Sequence, residues 1–238
     1  MDPMLTGLAQ AYVDRDGSAG PNIRSAAAAT PRWDESFCRA VADHFERAPL
    51  FDYDAGLARC YGEFKRENLR QYRLVRTAGI DVHPWLAPGQ PYRGSTELRE
   101  AVRSARTLHV FLTSAGHGPG PARRDHPMLE PAGITVDGVD FCHNDVFRVV
   151  HDVFGHVMSG TGFSPSGELT ASYCHMAMYP EAAHPALFTE QVAQSCWFFH
   201  GPHAGEGRYP EQKVFAFPEH YLTEFRELFS PAPVRVPH

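Results

Sequence analysis

The sequence predicts a mostly helical α+β fold, a helical bundle with a small antiparallel sheet near residues 107–141. Apolar residues recur every three or four positions along several long segments, which is the period of a helix with one buried face. Strand-like runs are short and lie together in one part of the chain. In that part, Asp137-Gly138 separates two short strand-like runs and favours a two-residue hairpin turn.

The composition is that of one large globular domain. The chain has 238 residues, 43% of them hydrophobic and 21% charged. It has neither an apolar run of about eighteen residues nor a basic and then apolar leader, so we expect a cytoplasmic protein without a membrane partner. The net charge of −6 is unfavourable for binding nucleic acid. Five widely spaced cysteines predict reduced thiols.

The N-terminal part is predicted to be an arm followed by helices. Residues 1–32 are rich in Ala, Gly, Pro and Ser and lack a sustained period, which predicts a flexible or loosely packed arm. Residues 33–238 are then a single domain. In it, Asp34 is placed to cap a helix over 35–48, and a long helix follows over 53–77. Exchange of the arm between protomers would give a homo-oligomer, which the sequence leaves open.

The middle of the chain combines loops with short strands. The Pro- and Gly-rich segment 81–93 predicts a loop, and 97–104 predicts a short helix. The apolar run 108–112 predicts a strand. Segment 115–131 is rich in Gly, Pro and His and is predicted to be too polar for the core. The hairpin is expected over 134–141.

Three helices are predicted in the following part of the chain, over 144–158, 164–178 and 184–200. The second begins with Ser-Pro, a capping residue followed by a proline at the first helical position. The third is ended by Gly-Pro. A strand over 214–217 and a short helix over 221–229 are predicted to follow.

Seven histidines fall within one third of the chain, and two of them share the first of these three helices. They are the pair in His-Asp-Val-Phe-Gly-His at 151–156. Imidazole is the commonest metal ligand, and Gly155 would let another element approach the pair. We therefore predict that His151 and His156 bind a metal. Zinc proteases space their histidines four residues apart, so the five-residue spacing favours iron. The alternative is a pair of ordinary helix histidines.

The third metal ligand is expected to be a carboxylate. A site with two histidines and one carboxylate leaves positions open for dioxygen and a substrate. Glu168 is the predicted ligand, although an acid in a first helical turn can simply offset the helix dipole. Glu190 is the other candidate. Glu190 and Gln194 are polar on an otherwise apolar helix, which indicates either a pocket wall or exposure to solvent.

Four further side chains are candidates for a role in catalysis or binding. The predicted catalytic residues are Asp152, Glu190 and His175. Asp152 would orient an imidazole or a bound substrate, and His175 lies two turns after Glu168 on the same helical face. Arg148, one turn before the histidine pair, either pairs with an inward carboxylate, anchors an acidic substrate or lies on a solvated helix face.

Residues 96–204 resemble the catalytic core of the non-haem iron aromatic amino acid hydroxylases. That family carries His-Glu-Leu-Leu-Gly-His on a helix, and the matching residues here are 151–156. The resemblance includes segment 163–169 with its acid, and Pro185 followed twelve residues later by Trp-Phe. The chain also resembles uncharacterised bacterial and phage proteins with a His-Asp-x-x-Gly-His motif.

The resemblance implies an enzyme that uses Fe(II), with dioxygen as co-substrate, to hydroxylate a small molecule. It does not supply the third ligand, because the family's carboxylate falls at Gly201 in this chain. Pterin binding is left without support, since the chain lacks the family's regulatory domain and is shorter than its catalytic domain.

The function predicted is therefore an iron-dependent monooxygenase acting on a small, aromatic or amino-acid-derived molecule. Its pocket walls would come from Phe154, Phe163, Trp197 and Phe198. One alternative is a zinc or other divalent-metal hydrolase, in which a nearby carboxylate activates water. The other is a haem-binding or other binding module without oxygenase activity.

Overall fold

Helices make up most of the structure, and the strands are few and short. The computed structural model describes residues 1–15, 20–116 and 125–230. Within these ranges the strands pair into one parallel and one antiparallel sheet of two strands each. The predicted class, mostly α with a small antiparallel sheet, is confirmed. No helix in those ranges combines the length and the apolar composition that crossing a bilayer requires.

The N-terminal residues form two helices, α1 (Pro3–Val13) and α2 (Ile23–Ala28). Leu5 and Ile23 are at most 1% exposed and belong to the main hydrophobic core. The loosely packed arm predicted for residues 1–32 is therefore corrected for the described part of that segment. Its many alanines obscure the helical period in the sequence, yet they allow close packing of the helices.

Two longer helices begin at aspartates, of which Asp34 was predicted. Asp34 and Asp54 accept hydrogen bonds from backbone N–H groups three residues further on, over 3.1 and 2.7 Å. They begin α3 (Glu35–Arg47) and α4 (Ala55–Thr77). Gly79 follows α4 with a φ of +74°, a left-handed conformation that suits glycine at the end of a helix.

A parallel pair of strands follows α4. It consists of β1 (Asp81–Trp85) and β2 (Thr107–Phe111), connected through α5 (Ser95–Glu100) and a π-helical segment (Ala101–Ala105). The prediction of a loop where β1 lies is wrong. Pro84 suggested the loop because it lacks a backbone N–H, but each strand of a two-stranded sheet has an unpaired edge where that N–H is not needed.

An antiparallel hairpin lies where the sequence predicted one. Its strands are β3 (Pro131–Val136) and β4 (Val139–Cys142). Asp137 and Gly138 join them with φ values of +50° and +78°. Positive φ at both central residues is the requirement of a type I′ turn, which the Asp-Gly pair meets.

The residues just before this hairpin are buried, which corrects the prediction that segment 115–131 is too polar for the core. His126 and Met128 are both 0% exposed. The Met128 backbone N–H donates to Nδ1 of His126 over 3.1 Å, so a polar atom of the buried ring has a partner. Residues 117–124 of the segment lie outside the described residues.

The three helices of the histidine-rich region are present, interrupted by two π-helical turns. Their segments are α6 (His143–His151), a π-helical turn (Asp152–Val157), α7 (Pro165–Met176), α8 (His184–Leu187), a second π-helical turn (Phe188–Ala193) and α9 (Gln194–His200). The sequence predicted the helices but not the π-helical turns, whose hydrogen bonds span five residues instead of four. α4 packs against α6 and α8, and α7 packs against the turn after α6.

The C-terminal residues add one helix, α10 (Glu219–Glu227), as predicted. The strand predicted over 214–217 is wrong, because Val214 forms only an isolated bridge with Phe51. All five cysteines are free in the structure.

Candidate metal centre

The π-helical turn after α6 brings two histidines to the same side of the helix. In a regular α-helix, five residues turn the chain by about 500°, which would leave His151 and His156 about 140° apart. Here the Met158 N–H donates to the Val153 carbonyl five residues earlier, so the turn accommodates one extra residue. The two imidazole rings consequently lie with their centroids 5.0 Å apart and nearly perpendicular.

Gly155 leaves room for one of these rings and for the neighbouring helix. A Cβ atom at this position would lie 3.0 Å from Cε1 of His151 and 3.3 Å from Cβ of Ala171 on α7. Both separations are shorter than ordinary van der Waals contact. The glycine therefore lets α7 approach the histidines, as the sequence predicted.

The first turn of α7 supplies a carboxylate to the histidine pair. Oε1 of Glu168 lies 3.4 Å from Nε2 of His156, and Oε2 lies 3.8 Å from Nε2 of His151. All three donor atoms lie within 4.8 Å of one another. Nε2 of Gln191 donates to Oε2 of Glu168 over 3.2 Å and orients it. The structure thus brings together the three residues predicted as ligands, and Glu190 is not a member of this cluster.

The donor set fits a divalent transition metal. Two imidazoles and one carboxylate, with positions left open, are the ligands of non-haem Fe(II) sites. Nε2 of His151 is buried and has no hydrogen-bond partner among the described residues. A buried polar atom without a partner is unfavourable, and a metal ion would supply the missing interaction.

The charges of the three ligand side chains are coupled. The Glu168 carboxylate raises the pKa of His156 against the effect of burial, so a metal ion would displace a proton from this ring. Burial opposes ionisation of Glu168, but the charge of the neighbouring His156 and the proximity of both imidazoles outweigh it and hold the pKa of Glu168 well below its usual range. Burial lowers the pKa of His151. A carboxylate and a neutral imidazole are the forms of these side chains that bind metals.

A hydrogen-bonded chain behind His151 determines which of its nitrogens faces the carboxylate. Nδ1 of His151 lies 3.2 Å from Nδ1 of His175, and Nε2 of His175 lies 2.7 Å from Oε1 of Gln71. An amide oxygen only accepts, so Nε2 of His175 donates and its Nδ1 accepts from His151. This leaves the lone pair on Nε2 of His151 for a metal.

His175 is held neutral in this chain, because burial and then the nearby histidines place its pKa well below the usual range. The hydroxyl of Tyr179 lies 3.2 Å from Nε2 of His175 and donates to Oδ1 of Asn68 over 2.5 Å. His175 does not line the cavity described next. It lies behind His151 and positions that ligand, and its predicted catalytic role stays a prediction.

The cluster lies in the wall of a cavity of about 490 Å³. Aromatic side chains form much of the rest of the lining: Tyr92, Phe111, Phe147, Phe163, Phe198, Phe199 and Tyr209. Phe163 packs edge-on against His156 with ring centroids 4.8 Å apart. Of the four aromatic walls predicted, Phe163 and Phe198 line the cavity, whereas Phe154 and Trp197 do not.

Two further carboxyl groups line the same cavity. Burial raises the pKa of Asp152 to about 6. Burial also raises the pKa of Glu190 to about 8, against the effect of its hydrogen bonds from Tyr61 and Gln194. Glu190 is 4% exposed, so of its two interpretations the pocket wall is correct and solvent exposure is wrong. At neutral pH it is mostly protonated and able to donate.

Comparison with protein-family models, with curated proteins and with solved structures finds no match for this chain. The resemblance to the aromatic amino acid hydroxylases therefore stays a prediction.

Sequence reasoning missed the residues of α4 that support the site. Tyr61, Asn68 and Gln71 are fully buried. They share one helical face with the buried Phe64 and Val75. The signal was present in the sequence. Polar residues at core positions of an amphipathic helix indicate a buried hydrogen-bond network.

Proposed function

We propose that this protein is a non-haem Fe(II)-dependent oxygenase that hydroxylates a small aromatic molecule. The observation that carries the proposal is the convergence of His151, His156 and Glu168 in the wall of an aromatic cavity. Fe(II) at such a site supplies the means to activate dioxygen.

The cavity supports a small-molecule substrate. Its volume of about 490 Å³ lies in the range of roughly 300–1,000 Å³ that is typical of ligand pockets. Apolar and aromatic side chains surround a few polar groups, among them Gln194, Asp152 and Glu190. Protonated Glu190 is suited to donate a hydrogen bond to a ligand oxygen, and Asp152 is suited to accept one.

Hydroxylation also requires a reductant. One oxygen atom of dioxygen enters the substrate and the other leaves as water, so a two-electron donor must supply two electrons, accompanied by two protons. The assay therefore includes ascorbate in one series and a tetrahydropterin in another. The pterin series also tests the cofactor that the sequence left unsupported.

The test begins with protein prepared without oxygen and loaded with Fe(II). Nitric oxide bound to the iron should give the electron paramagnetic resonance signal of a high-spin iron–nitrosyl complex. Oxygen uptake and a mass increase of one oxygen atom should follow with members of a panel of small aromatic compounds.

Variants link the signal to the cluster. His151→Ala/His156→Ala and Glu168→Gln should lose both the bound iron and the oxygen uptake. His143→Ala is the matched control, because His143 begins the same helix and lies outside the cluster. Iron retention by the double variant would refute the proposal.

A metal-dependent hydrolase is the second candidate, and one observation favours it. Asp152 is adjacent to a ligand, lines the cavity and has no hydrogen bond from another described side chain, so its carboxylate could accept a proton from a metal-bound water. Preference for zinc in elemental analysis, with hydrolysis under anaerobic conditions, would identify it. A Soret absorption band would instead identify a haem-binding module.

A further inference from the structure

A guanidinium group lies in the cavity wall one helical turn before His151. Arg148 is half-buried, and its Nη1 and Nη2 donate to the backbone carbonyls of Phe111 and Gly116, each over 2.8 Å. These two bonds hold the guanidinium in place, but they do not neutralise its charge.

No carboxylate of the described residues forms an ion pair with Arg148. The nearest helix neighbour of opposite charge, Asp145, is occupied. Its Oδ1 accepts from the backbone N–H and hydroxyl of Thr113, and its Oδ2 accepts from the backbone N–H of Cys142. Since a charge withdrawn from water is unfavourable unless it is paired, the wall has a cation that lacks an anion.

The guanidinium is well suited to bind a carboxylate. It carries five N–H donors, and the two backbone carbonyls account for two of them. Its planar fork matches a carboxylate, which it can bind through two parallel hydrogen bonds. Asp152, one turn further along the helix, and Glu168 line the same cavity. Their negative charges favour an anion with a single charge over a phosphate with two.

Aromatic rings lie beside this cation. The Arg148 guanidinium lies 5.6 Å from the ring centroid of Phe111. Tyr209 lies between Phe111 and Phe198. Its ring centroid is 6.4 Å from that of Phe111 and 5.7 Å from that of Phe198. All four residues line the cavity, so a flat ring can pack against the aromatic side chains while its acidic group reaches the guanidinium.

We propose that the cavity binds an aromatic carboxylic acid, whose carboxylate pairs with Arg148 and whose ring packs against Phe111, Phe198 and Tyr209. This assignment rests on the proposed function in one respect, namely that the cavity of the metal cluster is the substrate site.

The test compares an acid with its neutral amide. Calorimetry measures the binding of 3-phenylpropanoate and 3-phenylpropanamide to the full chain, stripped of metal by a chelator and checked for folding by circular dichroism. Without metal, the carboxylate cannot bind an ion instead of Arg148. The acid should bind at least tenfold more tightly than the amide. Equal affinities, or no binding of either compound, would overturn the proposal, and so would tighter binding of phenyl phosphate.

Variants assign the preference to Arg148. Arg148→Gln should abolish the preference for the acid, and Arg148→Lys should keep part of it. Arg99→Gln is the matched control, since Arg99 also donates to two backbone carbonyls, those of Gly160 and Thr161, but does not line the cavity. Full retention of the preference in Arg148→Gln would contradict the assignment, and so would its loss in the Arg99→Gln control. If the glutamine variant does not fold, full retention in Arg148→Lys would contradict it.

The result is independent of the chemistry proposed for the metal. Binding is measured without iron, dioxygen or reductant, so a protein that fails as an oxygenase can still show the preference for the acid. Conversely, an active oxygenase that binds acid and amide equally would retain the proposed function and overturn this inference alone.

Discussion

Replacement of Gln71 by leucine separates the support of the metal site from the stability of the fold. Gln71 accepts from Nε2 of His175 over 2.7 Å, and His175 in turn accepts from His151 over 3.2 Å. Without the amide oxygen, His175 is no longer held in the tautomer that orients His151. Loss of such a supporting hydrogen bond typically lowers metal affinity about 10- to 100-fold, or about 1.4–2.7 kcal/mol.

The free energy of unfolding should change much less in Gln71→Leu. One hydrogen bond is lost, which is destabilising by about 1 kcal/mol. Nε2 of Gln71, however, is buried without a hydrogen-bond partner among the described residues, and its removal is favourable by a similar amount. We therefore expect a net change within about 1 kcal/mol, because leucine also has nearly the volume of glutamine.

Metal affinity is measured by anaerobic competition with a chromophoric chelator, and stability by urea unfolding followed by circular dichroism. Gln10→Leu is the matched control. Oε1 of Gln10 accepts from the backbone N–H of Ile23 over 2.9 Å, and neither residue belongs to the hydrogen-bonded chain behind His151. The control should lose stability and keep its metal affinity. Metal affinity of Gln71→Leu equal to that of the unchanged protein would refute the reasoning.

Three more substitutions test other parts of the structure. Gly155→Val should lower metal affinity more than tenfold and destabilise the fold by about 1–3 kcal/mol, because the valine Cβ would lie 3.0 Å from the His151 ring. The chelator competition and the urea unfolding measure the two effects. Unchanged metal affinity would contradict this prediction. The pKa of Glu190 is raised to about 8 by burial, so its neutral form stabilises the native state at low pH. This contribution to the free energy of unfolding falls as the pH rises from about 4.5 towards 8, at up to about 1.4 kcal/mol per pH unit. Glu190→Gln should therefore weaken the decline in stability seen by urea unfolding between pH 5 and 8, and equal slopes would exclude this role. Lys213→Met should destabilise the protein by about 2–3 kcal/mol, since Nζ of Lys213 donates to the carbonyls of Phe45, Glu46 and Ala48 at the end of α3. A decrease in the free energy of unfolding below about 0.5 kcal/mol, measured by urea unfolding, would contradict this prediction.

Local signals in the sequence determined most of the helices and one hairpin. Asp34 caps α3 through a backbone N–H only three residues away, and Asp137-Gly138 provides the two positive φ angles of the hairpin turn. Such interactions form within a few residues, so they can be read without knowledge of the fold. They failed where composition obscured the pattern, as in the alanine-rich α1 and α2 and in the proline-containing β1.

The candidate metal ligands were also named from the sequence, but only the tertiary structure decided how they meet. The sequence offered Glu168 and Glu190 for the third position. The packing of α7 against the π-helical turn places Glu168 beside both histidines, whereas Glu190 accepts a hydrogen bond from Tyr61 on α4.

The deciding feature is one extra residue in a helical turn. Residue types and their spacing determined that His151 and His156 could bind a metal, because imidazole chemistry belongs to the side chain itself. Whether five residues leave the rings apart or bring them together depends on the backbone hydrogen bonds, and those are selected by packing against α7 and by the space at Gly155. Distances between donors on different helices follow from that packing, which no short sequence pattern encodes.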